Sequence, residues 1–567
     1  MENQLTNSDI ADILQLDGKL LDLHDTDPVR AKAYVDSVFT LERLDKQIAG
    51  MTPAQIGQIR VYGKILQPAI LEILETGTLA ELAELAEKTP AGIFEVMQVK
   101  GLGIKKVKAL WKDLQITGLE SLREACEKGV IAQLKGFGVK TQESILESIA
   151  FLESLKGKLR LDEALLLGGE ILEEVRKIYP DTYLSGEALR YENTVAELAF
   201  IVVKDGFGGI RLPEDIFHQD IKQSSPGTWR GHYRNFEIPV VMEKVSARDR
   251  VAKSIIKSAA EDHLMYRNGN DETFLSFLGK GGFEAEEEAY RQFGFAYIIP
   301  EMRNGRGEFE RAVDPETLIS WEKIKGTVHN HSTYSDGKHT LTEMAEACRS
   351  LGWEYFGIAD HSQTAAYARG LWPETVYRQQ REIDELNAGY AGQFRILKGI
   401  ESDILPDGSL DYDTEVLKTF DYIVASVHSV LSMDIEKATA RLIRAIENPY
   451  TSILGHPTGR LLLRRTGYPV DHRKVIDACA ANGVIMELNA SPYRLDLDWT
   501  WIDYCLEKGV MISINPDAHS TDGLLDIRYG VMIARKAGLP ADMTLNALPL
   551  QEVMKKLKKQ GAAVNIV

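Results

Sequence analysis

The sequence is short of cysteine: four in 567 residues (Cys126, Cys348, Cys479 and Cys505), no two of them spaced as CxxC. That excludes a thiolate zinc site and leaves no basis for a disulfide framework, so a reducing cytoplasm is the expected compartment. No run of about 18 apolar residues occurs, and no transmembrane helix is expected. The opening MENQLTNSDIADILQL is acidic and amphipathic, unlike the basic-then-apolar pattern of an export signal. Positive charge is scarce too: 66 Lys and Arg stand against 84 Asp and Glu, a formal net charge of -18. A protein coated in nucleic acid usually has a net basic surface, so contact with a polyanion would have to rest on local basic patches.

What is there reads as three regions. At 44% hydrophobic residues the chain is globular, and its length exceeds one hydrophobic core. Residues 1–155 run helix after helix, among them NSDIADILQLDGKLLDL, TLAELAELAE and TQESILESIAFLESL, with apolar residues at three and four spacing and almost no strand signal. A glycine turn recurs there before a helix: Val61-Tyr62-Gly63, Gly101-Leu102-Gly103 and Gly136-Phe137-Gly138. Residues 156–318 mix strands such as TVAELAFIVV with helices. From 322 to 567 the pattern becomes apolar strand, polar loop, amphipathic helix, the βα alternation of a parallel sheet or barrel.

Seven apolar runs mark that last region: KGTVHNH, YFGIADH, FRILKGIESD, YIVASVH, TSILGH, GVIMELNA and GVMISINPDAH. Active sites of such barrels lie at the strands' C-terminal ends. Those ends carry His329, His331 and Asp336, then His361, Glu401, His428, His456, and finally Asp517 with His519. Strand alternation sends residues two apart to one side, so His329 and His331 can grip one ion, as can Asp517 and His519. Imidazoles and carboxylates without thiolates suit zinc, manganese or iron, and nine ligands exceed one ion's needs. Two or three divalent ions are expected, with phosphoester hydrolysis as the reaction class. One such histidine alone is more often a core or surface residue, and that reading is kept for His339 and His472, which end no strand. Thr340 with Glu343 reads as a helix capping box. Beside the fifth run, Arg460, Arg464 and Arg465 suit phosphate oxygens, with a solvated loop as the alternative.

The motifs HNHSTYSDG, IADHS, GIESDI, ASVHS, GHPTGR and NPDAHS resemble, in order, those of the PHP (polymerase and histidinol phosphatase) phosphoesterases. The resemblance implies a distorted (βα)7 barrel. It places one ion on His329, His331, Glu401 and Asp517, a second on Glu401, His428 and His456, and a third on Asp336, His361 and His519, with zinc or manganese as the metals. His329, His331, Asp336, Glu401 and Asp517 are then the catalytic set.

The recurring turns match the helix-hairpin-helix pattern, in which backbone N–H groups at a glycine turn receive a phosphate. Gly101, Gly103, Lys105 and Lys106 in the second copy and Gly136, Gly138 and Lys140 in the third are the expected DNA contacts, reading backbone and not sequence. Helix packing through glycine is the alternative. Helix-hairpin-helix region, mixed domain and PHP barrel together resemble a bacterial family X DNA polymerase over nearly the whole chain. That resemblance implies a multidomain α and α/β protein whose middle is a polymerase-beta-like α+β nucleotidyltransferase fold.

There the sequence departs from the family. Where a serine should hold the triphosphate stands Glu187, and where two aspartates should bind magnesium stand Glu197 and Ala199. The third carboxylate position falls near Glu237. Alanine offers no ligand atom and a glutamate repels a triphosphate, so magnesium-dependent nucleotidyl transfer is not expected. The leading expectation is a cytoplasmic DNA-repair enzyme working on gapped or 3′-end duplex through a metal-dependent 3′–5′ exonuclease in the PHP barrel. Alternatives are a still-active gap-filling polymerase, a small-molecule phosphatase of the histidinol phosphatase kind, and a non-catalytic DNA-binding scaffold.

Overall fold

The computed structural model describes residues 5–42, 44, 46–59 and 62–557. They form two compact units, one up to Lys156 and one from Gly157 onward. No helix among the described residues is long and apolar enough to cross a membrane.

The first unit is helical throughout its described residues. Thr6 caps the helix Asn7–His24 in a reciprocal box with Asp9, as Thr52 caps Pro53–Ile56 with Gln55. The expected helices form at Pro28–Glu42, Ala80–Lys88, Leu119–Glu127 and Val139–Leu155. Their apolar faces meet in one core that includes Ile10, Leu14, Leu66, Ile70, Val107 and Leu110. Of the first glycine turn, residues 60 and 61 lie outside the described residues.

The second unit contains three sheets, the smallest a two-stranded antiparallel pairing of Leu159–Arg160 with Thr194–Val195, and a helical cluster. A five-stranded sheet runs in the order Thr182–Ser185, Leu198–Val203, Val240–Val245, Thr228–Tyr233, Phe217–Gln219. Leu198–Val203 pairs in parallel with Val240–Val245, and the other pairings are antiparallel. An aromatic-rich cluster around Phe274, Tyr290, Phe293 and Phe309 follows. The barrel then adds seven parallel strands in sequence order: Gly326–Thr327, Tyr355–Ile358, Arg395–Asp403, Tyr422–Ser426, Ile453–Leu454, Ile485–Asn489 and Ile512–Asn515. Every apolar run expected from the sequence contains one of them. Buried parallel strands must be apolar on both faces, which is why they stand out as continuous runs. The sheet nearly closes where Asn330 bridges Ala518 in parallel, so the first and last ligand-bearing segments are neighbours.

Buried polar contacts tie the barrel to the mixed region before it. Lys536, 2% exposed, donates to Arg190 O, Glu192 and Asn304 at 2.8–3.0 Å. Arg535 pairs with Glu301 at 3.0 Å, and Asn193 donates to Asp498 at 3.1 Å. A buried ammonium is tolerable only when its donors are satisfied, and here the partners come from the other region.

One group in the helical unit is not satisfied. Asp17 is fully buried in Asn7–His24, and neither carboxylate oxygen has a hydrogen-bond partner among the described residues. Burial and the negative charge of Glu81 raise its pKa to about 6, against the opposing pull of Arg30. The fold therefore favours the neutral acid. Its contribution is complete below the ordinary carboxylate range and is lost as pH rises through about 6. Amide protection factors in Asn7–His24 should fall between pH 4 and 6. In Asp17→Asn they should be flat over that window and higher at pH 7, by on the order of 2 kcal/mol. Unchanged pH dependence in the variant would refute this role for Asp17.

Candidate metal centre and nucleic-acid interface

Beyond the first barrel strand the chain keeps its alternation. Asn330 turns toward the sheet and donates to Gly357 O at 3.0 Å, while His329 and His331 on either side face Asp517. Their Nε2 atoms lie 3.7 and 3.0 Å from its Oδ1. Asp517 itself sits in the left-handed region (φ 54°), which aspartate tolerates better than most residues.

Glu401, from the third strand, is the hub. Its Oε1 lies 3.3 Å from His329 Nε2, 3.2 Å from His428 Nε2 and 2.9 Å from His456 Nε2. Its Oε2 lies 3.7 Å from His331 Nε2 and 2.9 Å from His361 Nδ1. At the outer edge, Asp336 Oδ1 stands 3.6 Å from His361 Nε2 and 3.4 Å from His519 Nε2. All nine residues singled out in the sequence therefore converge, falling into overlapping groups that share His329, His331, His361 and Glu401.

The donors fit a metal better than they fit one another. Two ligands at about 2.1 Å from one tetrahedral ion are about 3.4 Å apart, within the spread of these distances. His329 Nε2, His331 Nδ1, His361 Nδ1, His456 Nδ1 and Glu401 Oε2 are buried without a hydrogen-bond partner. Such orphans are rare in native structures and ask for an ion or a water. Burial disfavours charge on Glu401, Asp517, His428 and His519, yet the fields of their neighbours outweigh it. Glu401 and Asp517 are held well below the carboxylate range by the histidines around them. His428 rises to about 10 beside Glu401 and Asp403, and His519 to about 9 beside Asp336 and Asp517. His331 falls to about 3 through burial and its neighbours His519 and His361.

A second ring of residues, which the sequence reading missed, orients the first. Glu487 accepts from His329 Nδ1 at 2.7 Å and from His456 N at 3.1 Å, and Asp403 pairs with His428 Nδ1 at 2.6 Å. Buried Asp360 holds the Asp336 loop through Ser332 N (2.8 Å) and the Ser335 hydroxyl. Glu487 lies inside the sixth apolar run, the one strand whose end offered no ligand, and Asp403 lies two residues beyond Glu401. Those were the available signals. His339 accepts from Thr521 N at 3.2 Å and His472 stacks on Trp501; neither joins a candidate metal group.

The three arginines differ. Arg460, expected to face phosphate, spends its guanidinium on Arg494 O, Leu495 O and Asp498. Its bonds shape the loop and leave it no free fork. Arg465 donates to Gly459 O, and Arg464 lies over the ring of Tyr493. Arg494, not anticipated, comes within 3.6 Å of Asp517 Oδ2.

At the polymerase-like positions the carboxylates are occupied or apart. Glu187 accepts from Ala196 N at 2.6 Å, Glu197 pairs with Arg230 at 2.8 Å, and Ala199 lies in register with Ser185 and Val241. Glu237 is exposed ahead of the strand Val240–Val245. Among the described residues none of them joins a candidate metal group.

In the helical unit, Gly101 (φ 83°) and Gly136 (φ 87°) take the left-handed backbone their turns require. Gly103 and Gly138 directly precede the helices Ile104–Leu114 and Val139–Leu155, and a side chain at either would meet nothing within 4 Å. Packing does not call for glycine at either position. Gly63 differs, since a Cβ there would lie 2.7 Å from Gly57 O. Lys105 and Lys140 are exposed beside their turns, and Lys106 reaches from the second turn over Phe137 of the third.

A helix-hairpin-helix domain model matches residues 5–79 and a PHP domain model residues 327–491. The chain is 32% identical to the DNA polymerase/3′-5′ exonuclease PolX of Bacillus subtilis (strain 168), over 97% of this chain and 99% of that protein. It is 29% identical to a probable phosphatase of Thermoanaerobacter sp. (strain X514), over 42% of this chain and 97% of the relative. A probable phosphatase of Acetivibrio thermocellus is 28% identical, over 38% of this chain and 89% of its own length.

If Glu487 fixes the tautomer of His329, Glu487→Gln should weaken divalent metal binding about 10- to 100-fold while leaving the fold intact. Titration of metal-stripped protein against a chelating indicator reads this directly; unchanged affinity would reduce Glu487 to a packing role.

Proposed function

The chain belongs to the family of bacterial DNA polymerase/3′-5′ exonuclease PolX proteins, and from that premise we propose that it trims DNA 3′ ends through its PHP barrel and has lost polymerase activity. The observation that carries this reading is the nine-residue cluster around Glu401, with its orphaned nitrogens and oxygen. The working division is a DNA-holding region at 1–155, a polymerase-like region at 156–318 and the phosphoesterase at 322–567.

His329, His331, Glu401 and Asp517 would hold one divalent ion, Glu401, His428 and His456 a second, and Asp336, His361 and His519, with His331 beside them, a third. Charge favours two or three ions: Asp336, Glu401, Asp517, Asp403 and Glu487 gather five negative charges in one pocket. Zinc or manganese suits these nitrogen and oxygen donors. Bound divalent ions bring the pKa of water toward neutrality and stabilise charge on phosphoryl oxygens.

The chain's own groups do the rest. Glu487 and Asp403 fix the ring orientation of His329 and His428, so the ligand nitrogens face the pocket without rearrangement. Asp360 holds the loop that carries Asp336. Arg494, with Arg464 and Arg465 on the adjoining segment, supplies guanidinium donors for the scissile and neighbouring phosphates. Gly101, Gly103, Gly136 and Gly138 with Lys105, Lys106 and Lys140 bind the backbone of gapped or 3′-end duplex without reading sequence. The probable phosphatases align with about two fifths of this chain, and a small-molecule phosphatase has no use for the helix-hairpin-helix turns. Loss of nucleotidyl transfer is supported by Ala199 and by the Glu197–Arg230 pair, which commits the carboxylate at the first position to a cation of the protein.

A 5′-labelled gapped duplex incubated with manganese, with and without dNTPs, tests the reading on a denaturing gel. The native chain should shorten the strand and never extend it. His331→Ala and Asp517→Ala should each slow shortening by more than about a hundredfold, beyond the usual effect of outer-sphere changes. Extension with dNTPs would overturn the loss of polymerase activity; undiminished shortening in both variants would remove the activity from the barrel.

A further inference from the structure

The segment between His361 and the helix Pro373–Tyr390 lies over the centre and is pinned at both ends. Leu371 N donates to His361 O at 2.8 Å and Ser362 N to Glu401 O at 3.0 Å. Thr364 is held by Asp411 and Asp403 at 2.7 and 3.1 Å, and Gln363 by Asp411 O at 2.6 Å. The two limbs approach so closely that a Cβ at Gly370 would stand 1.8 Å from Ser362 O. Ala365 and Ala368 are fully buried. These contacts fix both limbs of the loop.

At its tip, however, this rigid loop presents an aromatic ring to solvent. Tyr367, in the single turn Ala366–Ala368, is 40% exposed. Its ring centroid lies 5.8 Å from that of His361 and 6.2 Å from that of His428, edge-on to both. Those two imidazoles share one candidate metal group with Glu401, so the ring overhangs the place where they meet it. The hydroxyl has no hydrogen-bond partner among the described residues. Exposed Arg369 and Trp372, the latter 63% exposed, flank it on the same segment. A rigid exposed aromatic beside cationic and aromatic neighbours is the chemistry that holds single-stranded nucleic acid, because every base offers a π-face.

Resting on the exonuclease reading above, we propose that Tyr367 stacks on the base of the 3′-terminal nucleotide, so that the site accepts unpaired ends and disfavours paired ones. A base on this ring must leave its partner strand, at a cost least for mismatched, frayed or single-stranded ends. Tyr367 then sets which ends are trimmed without taking part in bond breaking. Since stacking binds ground state and transition state alike, its loss should appear in KM and not in kcat.

The test uses the full chain with manganese and two 5′-labelled single strands, one with an ordinary 3′ nucleotide and one with an abasic 3′ residue that has no base to stack. Tyr367→Ala should raise KM about tenfold on the ordinary end, leave kcat unchanged, and have no effect on the abasic end; Tyr367→Phe should behave as the native chain on both. The native chain should also trim a mismatched end faster than a paired one, and Tyr367→Ala should reduce that preference. Equal KM for native and Tyr367→Ala on the ordinary end, or a loss of the same size on both ends, would overturn the stacking role. A native chain that shortens neither strand would instead overturn the exonuclease reading, and this inference with it.

Discussion

Glu401 is a carboxylate 1% exposed, within 3.7 Å of five imidazole nitrogens, with one oxygen lacking any hydrogen bond. An ion taken out of water costs several kcal/mol unless opposite charge and good geometry repay it. The architecture around it serves that need. Six strand ends bring ligands from separate parts of the chain to one point, Asn330 and Ala518 close the ring, and a second layer of carboxylates directs the imidazoles inward. A barrel is suited to this because its strands end on a common rim, so residues far apart in sequence arrive together without long loops.

The polymerase-like sheet shows what happens when that demand is absent. It keeps its strands and register, but Glu197 is neutralised by Arg230 and Ala199 offers only a methyl group. Folding asks of those positions only that they fit the sheet, and they do. The buried bonds of Lys536 to Arg190, Glu192 and Asn304 give the sheet region a structural use, as a support against which the barrel packs.

Much of this was legible in the sequence, for physical reasons. Strands buried on both faces read as apolar runs, and an imidazole or carboxylate at the end of each run betrays a shared purpose that no single residue would. The glycine turns were legible because Gly101 and Gly136 adopt a backbone other residues avoid. The outer ring was not. Glu487 reaches His329 across 158 positions, and only the packing of the barrel says which strands face one another. The same limit explains Arg460, whose positive charge is evident in the sequence but whose partner Asp498 lies 38 residues on. Arg494 and Tyr367 escaped because they stand on irregular segments, where no periodicity predicts the direction of a side chain.

On the proposed reading one buried carboxylate, Glu401, is shared between neighbouring ions. Electron paramagnetic resonance of the metal-stripped chain reloaded with manganese tests it directly. If Glu401 is shared, the bound ions lie close enough to couple, and the spectrum at full loading should be that of exchange-coupled manganese, reverting to uncoupled signals in Glu401→Ala. Isolated six-line signals from the native chain at every loading would contradict the account.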